Sequence, residues 1–573
     1  MKLLGVATAV LFAILLTQVF NIQVINGASF FKTASQNFIQ RRAIVAERGL
    51  IKDRNGVILA QSQPNYRLVV KNYSQLNIND FSEKLYLISS NLDLSFEDLQ
   101  KKCSEGLKTS ATAFVLAANL SKDQALKAET LLSSSPFFQI EMSPVRLYEG
   151  GEAFSHIVGY VGQVSQEEFA GGSFSNYLLG EVTGKEGLEK SFEEKLRGSN
   201  GLEIVEINAQ GEGAKILSRK EPERGGTLNL TIDSALQQEI YKILSQGAMM
   251  GSVIVSNVQN GDILAAVNYP SFNNNVFIEA DEKRLNDLLS DPQKPLFNRF
   301  LNGQYPPGST FKLVMAVAAL DEGVIDENTL LEAPGVISQG SFTYKDWKPE
   351  GQGLVNIVTA LAKSADTFFY QLGGGYKNFT GLGVERIYKW AKAFNLGKKT
   401  GIDLPSESEG LVPNEAWKKD YFNEPWYIGN TYHLSIGQGD LLATPLQVNL
   451  YTNIVASGGR IYKPNLVQGS EVFKGQVDAD PSVFSTIKEG LIKACSVGGT
   501  AYPLFSYAGR IACKTGTSET SIEDKTHAWL TMFYPPDNSQ YSITVFLEHG
   551  GGGAQDAAPI AKEIYDYMIG KGI

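Results

Sequence analysis

Ser309 and Lys312 stand three residues apart in YPPGSTFK, residues 305–312, where two prolines and a glycine stiffen a turn and an apolar run, LVMAVAAL, follows. A serine at the mouth of an apolar helix meets backbone N–H groups and the positive end of the helix dipole, which suits a centre where an oxyanion develops. A spacing of three puts Lys312 on the same face, within reach of the hydroxyl. In apolar surroundings an ammonium loses its proton more easily, so Lys312 is a candidate base for Ser309. The same pattern also describes a helix-capping serine with a lysine stem lying along apolar neighbours. A second Ser-x-x-Lys, Ser485 to Lys488, occurs in FSTIKEGLIKA without the preceding turn. A chain of this length holds about two such pairs by chance, and the second one is read as an accident of a helix.

Two more stretches could join Ser309. Ser364 and Asp366 open another apolar helix in KSADTFFYQLG. Lys514, Thr515, Gly516 and Thr517 lie in CKTGTSE, on an apolar strand that is followed by another apolar strand. There Lys514 can bind a carboxylate, the threonines offer hydroxyls, and Gly516 lets a substrate backbone approach closely. A second Lys-Thr-Gly, Lys399 to Gly401, follows a helix and runs into a proline-containing loop, so it is expected in a helix exit.

The elements that must position these groups are legible on both sides of them. Asp233 or Ser234 can cap a helix through ALQQEIYKILSQG. Two apolar strands, GSVIVSNV and DILAAVN, follow, joined at Asn260-Gly261, and the chain ends strand, strand, strand, helix. The simplest architecture for residues 226–573 is one antiparallel sheet built from both ends of the domain, with the helical middle covering one or both faces. Upstream, RGLIKDRNGVILAQS reads as a hairpin with Asn55-Gly56 supplying positive φ. Residues 48–225 are expected as a mixed spacer or docking module and 23–47 as an exit linker.

The 573 residues are 43% hydrophobic and 20% charged, which suits two to four folded domains. A net charge of −10 without basic clusters argues against nucleic acid as a partner. The four histidines show no ligand spacing, so neither a metal site nor a cofactor is expected. Cys103, Cys495 and Cys513 sit among apolar or small neighbours and are expected to be buried free thiols. Residues 3–20 carry no charge and span roughly 27 Å as a helix, close to the thickness of a bilayer core. With Lys2 on the short side, the positive-inside rule places the bulk of the chain outside the cytoplasm, with 1–22 as a retained anchor; a cleaved signal peptide is the alternative.

Ser-x-x-Lys, Ser-x-Asp and Lys-Thr-Gly, in that order and in those contexts, resemble the penicillin-recognising serine acyltransferases, which comprise penicillin-binding proteins and serine β-lactamases. PLFNRFLNGQYPPGSTFK, DWKPEGQG, SADTFFYQLG, TGIDLPSE, IGQGDLLATPLQV and GGTA look like class B penicillin-binding proteins, and RGLIKDRNGVILA and GKEGLEKSFEEKLRG look like the N-terminal pedestal of that class. Asp366, where division enzymes usually carry Asn, and Asp346-Trp347-Lys348 upstream look most like the elongation-type branch, penicillin-binding protein 2.

The resemblance implies an α+β fold. It comprises a transpeptidase domain with flanking helices (226–573), an elongated mixed α/β pedestal (48–225) and one membrane anchor. It implies a D,D-transpeptidase acting on the D-Ala-D-Ala end of peptidoglycan stem peptides, trapped by β-lactams, at the outer face of the cytoplasmic membrane. Ser309 would be the nucleophile and Lys312 a candidate base, a role disputed across the superfamily. Ser364 would relay a proton to the leaving amine with help from Lys514, and Asp366 would orient the network. Lys514, Thr515 and Thr517 would hold the substrate carboxylate and peptide, and the N–H groups of Ser309 and Thr517 would form the oxyanion hole. Expected partners are stem peptides, nascent glycan strands and a polytopic membrane glycan polymerase.

The alternatives are a division-type enzyme, a serine β-lactamase and an inactive scaffold for a polymerase. A class A β-lactamase needs a deacylating Glu-x-x-Leu-Asn after the second motif, whereas Glu282 to Asn286 falls before Ser309. A class D enzyme would carry Val at position 366.

Overall fold

The computed structural model describes residues 2–28, 39–71, 78–108, 113–133, 135, 137–165, 167–168, 177, 181–207, 213–279 and 281–573. Parts of the expected linker and pedestal therefore lie outside the described residues. Helix α1 (Lys2–Phe20) continues as a wider turn to Ile25. Among the described residues, Gly5–Ile25 is the one helical stretch long and apolar enough to cross a membrane.

The chain forms two compact units that are not linear in sequence. One comprises residues 1–49, 62–146 and 194–226, and the other 50–61, 147–193 and 227–573. In the first, β1 (Ile39–Ile44) pairs with β6 (Gly201–Ile207), which pairs with β7 (Gly213–Lys220), all antiparallel. Its apolar core gathers α2 (Ile78–Leu92), α3 (Phe96–Gly106), β4 (Ala113–Leu120) and α4 (Lys122–Leu132) around Phe81, Leu85, Ile88 and Leu116. Cys103 is a free buried thiol there, and burial pushes its pKa up to about 11.

In the second unit, β2 (Ile51–Lys52) pairs antiparallel with the start of β3 (Ile58–Lys71). The connection is wider than a two-residue turn. Gly56 alone takes positive φ (+88°), while the Asp53 carboxylate accepts hydrogen bonds from the N–H groups of Asn55 and Val57. Asp53 closes the loop, so Asn55 is not forced into the left-handed region.

The sheet of the second unit has the architecture expected from the sequence. Helix α5 (Ser234–Gln246) is capped by Asp233, whose side chain accepts from Leu236 N–H. Strands β8 (Gly251–Asn257) and β9 (Ile263–Tyr269) form the N-terminal hairpin. The C-terminal strands are β10 (Ala512–Glu519), β11 (Thr526–Tyr534) and β12 (Tyr541–Leu547), and their order across the sheet is β9-β8-β12-β11-β10, antiparallel throughout. First and last strands of the domain thus meet at β8 and β12, and β10 is left at an edge.

Helix α5 and the C-terminal helix α11 (Ala558–Lys571) pack on one face through Leu236, Ile240, Ile560 and Ile564. The other face carries the helical middle: α6 (Lys312–Asp321), α7 (Ile357–Lys363), α8 (Asp366–Gly374), α9 (Pro445–Ala456) and α10 (Pro481–Ala494). Every residue of α6 from Lys312 to Ala319 is buried. A helix apolar all round belongs in the middle of a layer, and each fully buried Leu, Val or Met there contributes about 1.5–3 kcal/mol.

One expectation is overturned. Cys495 and Cys513 are not free thiols but a disulfide. The end of α10 brings Cys495 against β10, with the Cα atoms 5.9 Å apart, inside the range a disulfide spans. Apolar neighbours in sequence signalled burial correctly, but they do not say which buried cysteines face each other.

Candidate active site

Ser309 is placed by a packed turn. Gly308 to Phe311 form one 3-10 turn that leads into α6, and in that geometry side chains three apart eclipse, so Ser309 and Lys312 share a side. Gly308 sits at φ +56°, and a Cβ there would stand 2.8 Å from the Thr517 carbonyl oxygen. Only glycine lets the turn approach β10 this closely. Around it, Gly308 N–H donates to Gly437 O at 2.9 Å, Trp529 Nε1 to Pro306 O at 3.1 Å and Thr310 Oγ1 to Pro307 O at 2.7 Å. Ser309 is half-buried.

Ser364 terminates α7 in the left-handed region, at φ +54° and ψ +39°. That conformation is uncommon for a residue other than glycine and costs of order 1 kcal/mol or more. Its neighbours over-determine it. Trp347 Nε1 donates to Lys363 O at 3.1 Å, immediately before Ser364. Just after it, the Asp346 carboxylate accepts from Thr367 N–H at 3.2 Å and so caps α8 from outside. The turn aims both the carbonyl and the hydroxyl of Ser364 inward.

Those oxygens meet two buried lysines. Lys312 Nζ lies 2.8 Å from Ser364 O, 3.2 Å from Ser364 Oγ and 2.5 Å from Asp366 Oδ1, with the Phe369 ring centroid 5.1 Å away. Lys514 Nζ lies 2.8 Å from the same Ser364 Oγ and 2.9 Å from Thr515 O. Both lysines are completely buried, while Asp366 keeps 14% of its side-chain exposure. Burial first, and the Lys312 charge second, hold the Lys514 pKa well below the usual lysine range, with Asp366 acting in the opposite direction.

The residues singled out in the sequence come together. Ser309, Ser364, Asp366, Thr515, Gly516 and Thr517 all line one cavity of about 690 Å³. The second Ser-x-x-Lys lies in α10, and the second Lys-Thr-Gly is a loop whose Thr400 is bound by the Glu407 carboxylate; neither reaches the cavity. Glu282 to Asn286 sit on a helix without buried residues.

At the cavity edge, β10 offers the backbone of an edge strand, the arrangement that lets an extended peptide add to a sheet. Thr515 Oγ1 is 2.8 Å from Thr500 Oγ1, and Thr517 Oγ1 accepts from Gly553 N–H at 3.2 Å. Gly516 has a different reason from the expected one. A Cβ there would point inward, 3.0 Å from Trp529 Cβ and 3.1 Å from Thr310 Cγ2, so its absence lets β10 close on the Ser309 turn.

Asp346, Trp347, Thr500 and Gln438 also line the cavity. DWKPEGQG, GGTA and IGQGD mark them in the sequence, but only as likeness, because reach across the fold decides what they touch. Among the described residues no group of acidic, histidine and cysteine side chains could hold a metal ion.

The penicillin-binding protein transpeptidase domain model matches residues 251–566, and the penicillin-binding protein dimerisation domain model matches residues 43–230. The chain is 32% identical to a peptidoglycan D,D-transpeptidase MrdA of Haemophilus influenzae, over 97% of this chain and 89% of that protein. A solved complex between penicillin-binding protein 2 and MreC from Helicobacter pylori superimposes with a TM-score of 0.82 at 29% identity, covering 92% of this chain and 99% of that one. A chain from work on structural coordination of polymerization and crosslinking by a peptidoglycan synthase complex gives a TM-score of 0.73 at 28% identity, covering 98% and 97%.

Proposed function

We infer how this chain works from one premise: it belongs to the penicillin-binding protein transpeptidases and is a peptidoglycan D,D-transpeptidase of the elongation type, the penicillin-binding protein 2 kind. Ser309 Oγ attacks the carbonyl carbon between the two terminal D-alanines of a stem peptide. The developing oxyanion is held by the N–H groups of Ser309 and Thr517, at a turn and strand that Gly308 allows to touch. The terminal carboxylate lies along Thr515 and Thr517. D-Alanine leaves, and an amine of a neighbouring strand takes the acyl group from Ser309, forming the cross-link. Ser364 carries protons across the cavity, and the Lys312–Asp366 pair fixes the electrostatics beside the nucleophile.

The observation that supports this reading best is a single one. The Ser364 hydroxyl sits between two buried lysines, in the same cavity as Ser309 and the edge strand. Such convergence is what a proton relay in acyl transfer requires.

Residues 226–573 form the transpeptidase part and 48–225 the pedestal. Residues 1–22 anchor the chain, with the catalytic part outside the cytoplasmic membrane. By analogy with the relative solved with MreC and the one from a peptidoglycan synthase complex, the pedestal and anchor bind partner proteins, among them a polytopic glycan polymerase.

Intact mass of the detergent-solubilised chain after exposure to benzylpenicillin tests the reading. One stable acyl adduct is expected in wild type and in Ser485→Ala, and none in Ser309→Ala. Drug consumption without an adduct would make it a β-lactamase instead. Neither adduct nor drug loss from folded protein would point to a scaffold.

A further inference from the structure

We propose that Lys514, not Lys312, receives the Ser309 proton, through the Ser364 hydroxyl, and that Lys312 stays an ammonium ion locked on Asp366. The proposal rests on the transpeptidase reading above and assigns the base within it, revising the expectation that Lys312 takes the proton itself.

Charge balance carries it. The buried cluster holds one carboxylate and two amines. One ammonium neutralises Asp366, and a second would be a buried cation without a counter-ion, converging with the first on the same hydroxyl oxygen. Geometry says which amine is the cation. Asp366 Oδ1 is 2.5 Å from Lys312 Nζ, and the Ser364 carbonyl, which can only accept, is 2.8 Å from it. Lys312 also has the Phe369 ring at 5.1 Å, a further contact suited to a cation. Among the described residues Lys514 has no carboxylate partner; its Nζ meets Thr515 O and Ser364 Oγ. A neutral amine there donates to Thr515 O and turns its lone pair to Ser364. The low proton affinity that burial and the Lys312 charge impose on Lys514 agrees with this placement.

The step balances without any other reactant. As Ser309 Oγ bonds to the carbonyl carbon, its proton passes to Ser364 Oγ, the Ser364 proton passes to Lys514 Nζ, and the carbonyl π pair moves to oxygen. When the tetrahedral centre collapses, the C–N bond breaks and the proton returns from Lys514 through Ser364 to the departing amine. Lys514 begins and ends acylation neutral. Ser309 and Ser364 line one cavity, and catalytic hydrogen bonds commonly tighten only once substrate is bound. The substrate carboxylate, set on Thr515 and Thr517, arrives beside Lys514 and favours the ammonium that forms there. Lys514 is therefore a weak base in the free enzyme and a stronger one with a carboxylate-bearing substrate in place.

The test is the rate of benzylpenicillin adduct formation by the full chain in detergent. Arginine cannot serve as a neutral base, so Lys514→Arg is expected to lose about 100-fold or more of the acylation rate; a smaller loss overturns the proposal. Because arginine is bulkier than lysine in a fully buried site, Lys514→Ala and Lys312→Ala are measured with added methylamine across pH. Rescue of Lys514→Ala is expected to follow the neutral amine and rise with pH, and rescue of Lys312→Ala to follow methylammonium and fall with pH. The reverse pair of dependences overturns the proposal. Absence of an adduct in wild type would instead remove the transpeptidase reading itself, so the two failures are distinct.

Discussion

Two buried polar clusters meet the helical face of the central sheet, and they are built to opposite ends. One is a seam between α9 and the strands. Asn449 accepts from Ser256 Oγ at 2.8 Å and donates to Ser542 Oγ at 3.0 Å and Thr544 Oγ1 at 3.2 Å. Thr452, Thr531 and Thr544 continue it at 2.7 and 3.0 Å. Within it, among the described residues, Asn453 Oδ1 alone has no partner. The other is the lysine cluster, which starts directly across the sheet from Thr531, at Lys514. There the seam's neutral and almost fully paired groups give way to two amines and a carboxylate, and the Ser364 proton is left free to move. A satisfied network rigidifies a fold, whereas a charged one with spare capacity is costly to fold and able to do chemistry.

Removing one group from each cluster should separate stability from catalysis. Ser364→Ala is expected to lower β-lactam acylation by about 100-fold or more, the scale of a lost proton-transfer group, with little change in unfolding. Adduct formation measured beside thermal unfolding decides it, and a fast-acylating Ser364→Ala would remove the relay. Asn449→Ala should do the reverse. It takes one partner each from the Ser256, Ser542 and Thr544 hydroxyls, which keep one another, Asn453 and Thr531, and is expected to cost about 1–3 kcal/mol of stability, with the acylation rate per folded molecule unchanged. If that rate fell with stability, the two clusters would be one unit and the contrast would be wrong.

How much of this could be read from the chain differs between the same two regions. The five-stranded sheet was legible from its hairpin and its terminal apolar strands, because β-branched runs with turn signals are local properties. Gathering Ser309, Ser364 and the Thr515–Thr517 stretch around one cavity was legible because each motif carries its own context, a rigid turn, a helix start or an apolar strand with an apolar partner, and the second copies at Ser485 and Lys399 lack it. What the sequence hid depends on distance across the fold. No glycine announces the left-handed Ser364; its conformation is held by Trp347 and Asp346, both remote in sequence. The Cys495–Cys513 bond and the inward-facing reason for Gly516 are likewise set by which elements pack together. The choice of Lys312 rather than Lys514 as partner of Asp366 turns on side-chain reach, which spacing does not encode.

The cost of keeping a lysine neutral gives the finest version of the comparison. In the folded chain burial holds the Lys514 pKa well below 10.5, the value of an unperturbed lysine. Between the folded and the unfolded pKa the unfolded chain binds more protons, so stability rises with pH in that window; below the folded pKa the penalty is constant. Wild type should therefore gain stability relative to Lys514→Met as pH rises from 7 towards 10, by at most about 1.4 kcal/mol per pH unit. The equivalent comparison of wild type with Asn449→Ala should stay flat, since the seam holds no titrating group. Unfolding midpoints of the three proteins across that range suffice. A wild-type curve parallel to Lys514→Met would mean that the buried amine keeps its proton, and the lysine cluster would then be as fully compensated as the seam beside it.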